Sequence, residues 1–256
     1  MRNLLCRLGR LALNSVQEAG GMTIFLLEAL GQAFLPPFRF RRLFREMDFI
    51  GVRSSLIILL TGAFTGMVLG LQGYYTLKRY GSEGALGSAV ALSLIRELGP
   101  VLTALMVSGR AGSAITAEIG IMRITEQLDA MDTMAVNPLQ YVVSPKLLAA
   151  LICVPLLTGI FDVVGIFGGY LIGVVLLGVS SGSYFNGMVQ SVQTLDVNGG
   201  IVKSLVFGLT IILVACYKGY YTERGAEGVS RATTETVVLS AVLVLAWDYI
   251  ITSFFM

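Results

Sequence analysis

The chain has 256 residues, of which 55% are hydrophobic and 13% are charged, and its mean hydropathy is +0.79. These values exclude an ordinary soluble domain and predict an all-α, polytopic membrane protein whose core is covered largely by lipid. The net charge is only +2, and the basic residues are gathered in a few clusters. This pattern argues against nucleic-acid binding.

The sequence offers little for catalysis or metal binding. It contains no histidine, the most frequent general base in enzymes, and no G-x-x-x-x-G-K-[ST] phosphate-binding loop. Cys6, Cys153 and Cys216 do not have the spacing of a disulfide framework or a metal site. We expect no catalytic residue, metal site or cofactor in this chain, so any ATP and Mg would be bound by a partner subunit.

The N-terminal region is basic and partly apolar, and two interpretations of it differ. Residues 1–35 have the charge of a signal peptide, but polar residues interrupt the apolar run, and an amphipathic helix on the cytoplasmic membrane surface is favoured. After a Pro-Pro pair, the segment FRFRRLFREMDF mixes four arginines with four phenylalanines, which favours an interfacial helix over a solvated linker. Residues 1–50 are therefore predicted to form N-terminal interfacial helices, and residues 51–256 the transmembrane domain.

Five apolar segments are each about long enough to cross a hydrocarbon core of roughly 30 Å at 1.5 Å per residue. The predicted spans cover about residues 52–76, 85–110, 146–178, 201–218 and 234–255. In the first span, Gly62, Gly66 and Gly70 recur at every fourth position. This small-xxx-small series predicts a face for close helix packing, either within the subunit or across a dimer.

The basic residues also set the expected topology. Segments 1–53, 109–146 and 218–231 hold eight, three and three of the 18 Lys and Arg residues, whereas the loops on the opposite side hold only Lys78 and Arg79. By the positive-inside rule, the N-terminus is predicted to be cytoplasmic and the C-terminus to lie on the outer side of the membrane.

Two adjacent charges, Arg96 and Glu97, fall near the middle of the second predicted span. Each costs on the order of 2.5 to 3.5 kcal/mol on insertion scales, so each needs a partner. Neighbouring side chains on a helix point about 100° apart, so each must face another helix, another subunit, water or a ligand. Pro100 also leaves the carbonyl oxygen of Arg96 without its helical donor. The pattern fits an ion pair that only locks helices together, but an intramembrane charge favours a functional role.

Between the second and third spans, residues 123–135 predict a short acidic amphipathic helix that ends at an Asn-Pro pair. Its apolar face holds Ile124, Leu128, Met131 and Ala135, and its acidic face holds Glu126, Asp129 and Asp132. On shape alone, a helix that inserts into a groove of a soluble partner and an interfacial loop helix fit equally well.

Specific strings give the chain a resemblance to a known family. RELGPVLTALMVSGRAGSAITAEIGIMRITEQLDAM resembles the MlaE (YrbE-like) permeases, and GMVLGLQGY and GVSRATT extend the resemblance over nearly the whole chain beyond residue 50. Members of that family are membrane subunits of ABC transporters that act with MCE proteins in phospholipid trafficking. The resemblance implies a homodimer, two cytoplasmic ABC ATPase subunits, a periplasmic MCE-domain ring and a location in the inner membrane of a Gram-negative bacterium.

The resemblance also implies site residues. It places Leu69, Leu77, Tyr80, Glu97 and Leu98 in the wall of a phospholipid pocket at the dimer interface. We add Arg96 and Lys203 on physical grounds, because a cation at mid-span would attract a lipid phosphate. The family's coupling helix corresponds to residues 123–135, and the residues expected to contact the ATPase are Arg123, Glu126, Gln127, Asp129, Met131 and Asp132.

The leading hypothesis is thus a non-enzymatic permease subunit that moves phospholipids between the inner membrane and periplasmic MCE carriers and maintains outer-membrane lipid asymmetry. An ion- or proton-coupled carrier, with Arg96, Glu97 and Asp162 as a relay, is an alternative from another class. A third is a structural anchor that only holds an MCE complex in the membrane.

Overall fold

The computed structural model of the chain describes residues 16–17, 20–32 and 40–255, with side chains up to residue 254. Within these residues the chain is helical apart from short connections, and it contains no strand. In chain order the helices are α1 (residues 20–32), α2 (Phe40–Lys78), α3 (Glu83–Ile124), α4 (Gln127–Thr133), α5 (Leu139–Leu176), α6 (Ser181–Ser191), α7 (Thr194–Tyr220) and α8 (Ala226–Phe255).

Five of the described helices, α2, α3, α5, α7 and α8, are long and apolar enough to cross a membrane. This confirms the predicted all-α class with five spans. The short helix α4 follows the second span and precedes the third, as expected. Most of the N-terminal segment, residues 1–15, 18–19 and 33–39, lies outside the described residues, and so does much of the predicted interfacial region.

Two of the spans are longer than their apolar segments. α2 begins at Phe40, so the described part of the basic FRFRRLFREMDF segment runs into the first span without a break, through a π-helical turn at Asp48–Val52. α3 is 42 residues long, roughly twice what a bilayer requires. It therefore extends well beyond the membrane towards α4, as the sequence predicts.

The glycine series of α2 packs inside the subunit, against α5. A Cβ atom on Gly66 would overlap the backbone carbonyl of Gly165, and one on Gly70 would lie 2.9 Å from the carbonyl oxygen of Gly169. Gly62 faces Phe161 in the same way, at 3.0 Å. The structure thus selects the first of the two alternatives, because this face of α2 is already covered by a helix of the same chain.

Ion pairs tie together the ends of α2, α3 and α5 that lie nearest α4. The Nζ of Lys146 lies 2.9 Å from a carboxylate oxygen of Glu46 and 2.8 Å from one of Glu118, and its side chain is almost fully buried. Arg110, in a π-helical turn of α3, donates to the carbonyl of Phe49 and to Ser54 Oγ of α2. These contacts fix α3 to α2 and α5 at this end of the bundle.

The connection between the third and fourth spans contains a helix that the sequence pattern did not predict. α6 packs against the start of α3, and the side chain of Tyr184, a residue of α6, is fully buried. The Tyr184 hydroxyl donates to the carbonyl of Ile166 over 3.0 Å. This anchor holds the connection against the helix bundle.

Candidate functional site

The centre of α3 departs from regular α-helix where the two charges lie. A π-helical turn spans Leu94–Leu98, and Gly99 and Pro100 follow it. Proline has no N–H group, so the carbonyl oxygen of Arg96 loses its usual helical donor. Lys203 Nζ of α7 takes that place, since it donates to this oxygen over 2.7 Å. The irregular turn is therefore satisfied by a side chain from another span.

Lys203 is the centre of an ion cluster that joins three spans. Its Nζ lies 2.7 Å from Glu97 Oε2 of α3 and 2.9 Å from Asp248 Oδ1 of α8. The hydroxyl of Thr252 donates to Glu97 Oε1 over 3.2 Å. Only 4% of the Lys203 side chain is exposed, and a lysine buried that deeply normally requires such partners.

Arg96 forms an ion pair with a carboxylate that Lys203 does not contact. Its Nε lies 2.8 Å from Asp196 Oδ1, near the start of α7. The other carboxylate oxygen of Asp196 accepts from the backbone N–H of Gln193 over 2.9 Å, within a capping box. Asp196 thus takes part in capping the N-terminus of α7, and it also positions the Arg96 guanidinium.

A cavity of about 240 Å³ opens among these side chains. It is lined by Arg96, Glu97, Leu195, Asp196, Gly199, Gly200, Lys203 and Thr252. The two glycines leave the wall of α7 without side chains beside the charged groups. We call this space the polar cavity, because four of its eight lining residues are charged.

A second cavity, of about 290 Å³, lies between α2 and α3 and is mostly apolar. We call it the α2–α3 groove; it is lined by Leu69, Gln72, Gly73, Thr76, Leu77, Ala89, Val90 and Ser93. Ala89 and Ser93 are exposed on α3, and Arg96 is exposed less than one turn further along. The groove and the polar cavity are therefore neighbours along α3, with Ser93 lining the first and Arg96 the second.

The predicted site residues are distributed unevenly. The structure brings Arg96, Glu97 and Lys203 into one cluster, and Leu69 and Leu77 into the α2–α3 groove. Tyr80 lies in the turn after α2 with 80% of its surface exposed, and Leu98 packs against the hydrophobic core.

Three contributors to the cluster were not singled out from the sequence: Asp196, Asp248 and Thr252. Asp196 stands in a segment too polar to look like a span, and Asp248 and Thr252 lie about 150 residues from Glu97 along the chain. Asp248 is the only one with a signal, because it is a charge inside an apolar segment.

Asp162, the third member of the alternative relay, does not line the polar cavity. Its Oδ1 abuts Gly99, where a Cβ atom would overlap it. Among the described residues, this oxygen has no hydrogen-bond partner. The structure therefore sets Asp162 apart from the cluster of Arg96 and Glu97.

The acidic helix is shorter than its predicted range, because it runs from Gln127 to Thr133. Leu128 is only 1% exposed and Met131 packs against the core, so these two positions of the predicted apolar face are turned inward. The prediction that Ala135 belongs to that face is wrong, because this residue lies beyond the end of the helix, is exposed and has a positive φ of 58°. Asp129 and Asp132 are exposed, and Asp129 forms an ion pair of 2.7 Å with Arg123 at the end of α3. Glu126 has a positive φ of 58° and forms the turn that redirects the chain into α4.

Five spans around a buried ion cluster, with an adjoining apolar groove, define an integral membrane protein of the transport class. The family model described as Permease MlaE matches residues 43–254. The chain therefore belongs to the MlaE permease family.

Bacterial relatives match along nearly the full length of both chains, and a plant relative matches along part of its own. A protein of Haemophilus influenzae named intermembrane phospholipid transport system permease protein MlaE is 44% identical, over 94% of this chain and 97% of its own. A probable ABC transporter permease protein of Rickettsia bellii is 43% identical over 99% and 98%. The chloroplast protein Trigalactosyldiacylglycerol 1 of Arabidopsis thaliana is 33% identical over 84% of this chain and 61% of its own.

Proposed function

We propose that this chain is the membrane-spanning subunit of an ABC transporter that moves phospholipids. The observation that carries the proposal is a pair of neighbouring cavities along α3, an apolar groove and a cavity with an exposed guanidinium. A two-chain lipid needs both surfaces, because its acyl chains require apolar walls and its phosphate requires a cation. The name of the Haemophilus relative states the same substrate class.

Arg96 is the residue best suited to hold the phosphate. Its Nε contacts Asp196, and the two terminal nitrogens of a guanidinium supply four further N–H donors that match phosphate geometry. Lys203, in contrast, is buried, donates to Glu97 and to the Arg96 carbonyl, and forms an ion pair with Asp248. We assign Lys203 the role of fixing the cluster, and Arg96 that of contacting the lipid.

Arg96→Gln is expected to weaken phospholipid binding by tenfold or more, since a charge-assisted hydrogen bond contributes roughly 1.5–3 kcal/mol. The measurement is the lipid phosphorus retained per purified chain, together with a binding titration in detergent. Arg79→Gln removes the same charge from the exposed turn after α2 and is expected to bind normally.

Arg96→Lys keeps a positive charge beside Asp196 and is expected to give an intermediate affinity. Leu69→Asp, which puts a charge in the groove, is also expected to reduce lipid retention. Normal retention in both Arg96→Gln and Leu69→Asp, with each variant monodisperse, would place the lipid site elsewhere.

We further propose that α4 is the contact with a cytoplasmic ATPase, in which ATP and Mg are bound and hydrolysed. The N-terminus is then cytoplasmic and the C-terminus periplasmic, the chain is a homodimer in a bacterial inner membrane, and the lipid passes to a periplasmic MCE ring. The inward Leu128 and outward Asp129 and Asp132 support this role, because α4 offers a fixed acidic face.

α3 supplies the mechanical link between α4 and the polar cavity. Arg96 and Ile124 are separated by about 42 Å of helix at 1.5 Å per residue. A displacement of α4 is passed to Glu118, which is paired with buried Lys146, and then to Arg110, which is bonded to α2. Motion at the ATPase would therefore move α2 and α3 together relative to α7 and α8, and would change the shape of the polar cavity, which α3, α7 and α8 line.

Reversing two charges on α4, Asp129→Lys with Asp132→Lys, is expected to reduce co-purification with the ATPase partner about tenfold or more, because like charges across an interface cost several kcal/mol. The readout is the ratio of the two subunits after affinity purification of the tagged chain. Glu227→Lys, an exposed carboxylate reversal at the start of α8, is the matched control. Intact co-purification and ATP turnover in the double variant would contradict the assignment of α4.

A further inference from the structure

The charges around the polar cavity do not balance. Two cations, Arg96 and Lys203, face three carboxylates, those of Glu97, Asp196 and Asp248. With every group ionised, the cluster therefore carries one excess negative charge. In a medium of low dielectric constant such an excess strongly affects which ligand charge is accepted.

The four charged side chains that line the cavity differ in their exposure to solvent. The side chains of Lys203 and Asp196 are only 4% and 10% exposed. Those of Arg96 and Glu97 are 44% and 39% exposed, and both line the cavity. A ligand in the cavity therefore meets one accessible cation and one accessible anion, carried by adjacent residues of α3.

An anionic headgroup uses only half of this arrangement. Its phosphate can accept from Arg96, but it then adds a second negative charge to the excess and leaves Glu97 and Asp248 to share the single ammonium of Lys203. A headgroup that carries an ammonium next to its phosphate can pair with both accessible side chains, and it leaves the net charge of the cluster unchanged. The carboxylate charge that remains without a cation of its own is what makes the difference costly.

We propose that the polar cavity selects phospholipids with a zwitterionic, amine-bearing headgroup over anionic ones, through an ammonium contact at Glu97 beside the phosphate contact at Arg96. This inference rests on the proposed function, because it names the lipid class that the same site accepts. Asp196 orients Arg96, and Lys203 and Thr252 orient the Glu97 carboxylate, so both recognition groups are held before a lipid arrives.

The test compares two lipids that differ only in the headgroup, dioleoyl phosphatidylethanolamine and dioleoyl phosphatidylglycerol. Each is titrated against the purified full-length chain in a neutral detergent, and the dissociation constants are measured by native mass spectrometry. We expect the ethanolamine lipid to bind about tenfold more tightly, as one unscreened charge contact would give. In Glu97→Gln, which keeps the size of the side chain, the two affinities are expected to become about equal.

Glu227→Gln is the matched control, since it makes the same carboxylate-to-amide change at an exposed residue that lies outside the cluster and does not line the cavity. It is expected to keep the preference for the ethanolamine lipid. Equal binding of both lipids by the unaltered chain, or an unchanged preference in Glu97→Gln, would overturn the inference while leaving phospholipid transport intact. Failure of the chain to bind either lipid would instead overturn the proposed function.

Discussion

Replacing Lys203 with methionine is expected to lower the free energy of unfolding by about 3–5 kcal/mol, the usual result of removing one partner from a buried ion pair. The Nζ of Lys203 forms ion pairs with two carboxylates on two other spans, and it donates to the carbonyl that Pro100 leaves without a helical donor. Its loss would leave all three groups uncompensated inside the bundle. The measurement is a denaturant titration in detergent, followed by the fluorescence of the single tryptophan, Trp247, which is adjacent to Asp248.

A triple variant separates the cost of unpaired charge from that of lost packing. Adding Glu97→Gln and Asp248→Asn to Lys203→Met removes every formal charge that Lys203 contacts. We expect it to recover most of the lost stability, because replacing a whole buried ion network is often neutral while breaking it is not. If the triple variant were no more stable than Lys203→Met, the cluster would be holding the spans through packing rather than through charge.

Some members of this cluster can be predicted from the sequence, and others cannot. Arg96 and Glu97 are conspicuous because a charge in an apolar run is costly wherever it stands, and Pro100 indicates a free carbonyl through a local rule. Their partners are set by helix packing over a hundred residues or more of chain, which no local rule encodes. Asp196 is harder still to recognise, because it looks like an ordinary loop carboxylate and acts as a helix cap.

The glycine series and α6 show the same division between local and tertiary information. The spacing of Gly62, Gly66 and Gly70 predicts a close-packing face, but only the fold shows that the facing helix is α5 of the same chain. The sequence of α6, SGSYFNGMVQS, has few strong helix formers and little periodicity, so no local pattern predicts it. Its stability comes from the burial of Tyr184 against α3 and α5, a tertiary effect that outweighs propensity.

Gly66→Ala is expected to be the most damaging substitution of the α2 glycines, with a loss of about 3 kcal/mol or more in the free energy of unfolding. The added Cβ atom would overlap the backbone carbonyl of Gly165, which cannot rotate away as a side chain would. α2 and α5 would have to separate along their length, and the α2–α3 groove would change shape with them. The measurement is the yield of monodisperse protein and the same denaturant titration.

The distances predict a rank order and supply a control. A Cβ atom would lie 2.9 Å from a carbonyl oxygen at Gly70 and 3.0 Å at Gly62, so Ala at these positions should cost less than at Gly66. At Gly159 of α5, no atom of the described residues lies within 4 Å of the position that a Cβ atom would take. Gly159→Ala is therefore expected to stay within about 1 kcal/mol of the unaltered chain. Equal tolerance of alanine at Gly66 and Gly159 would mean that α2 and α5 are separable.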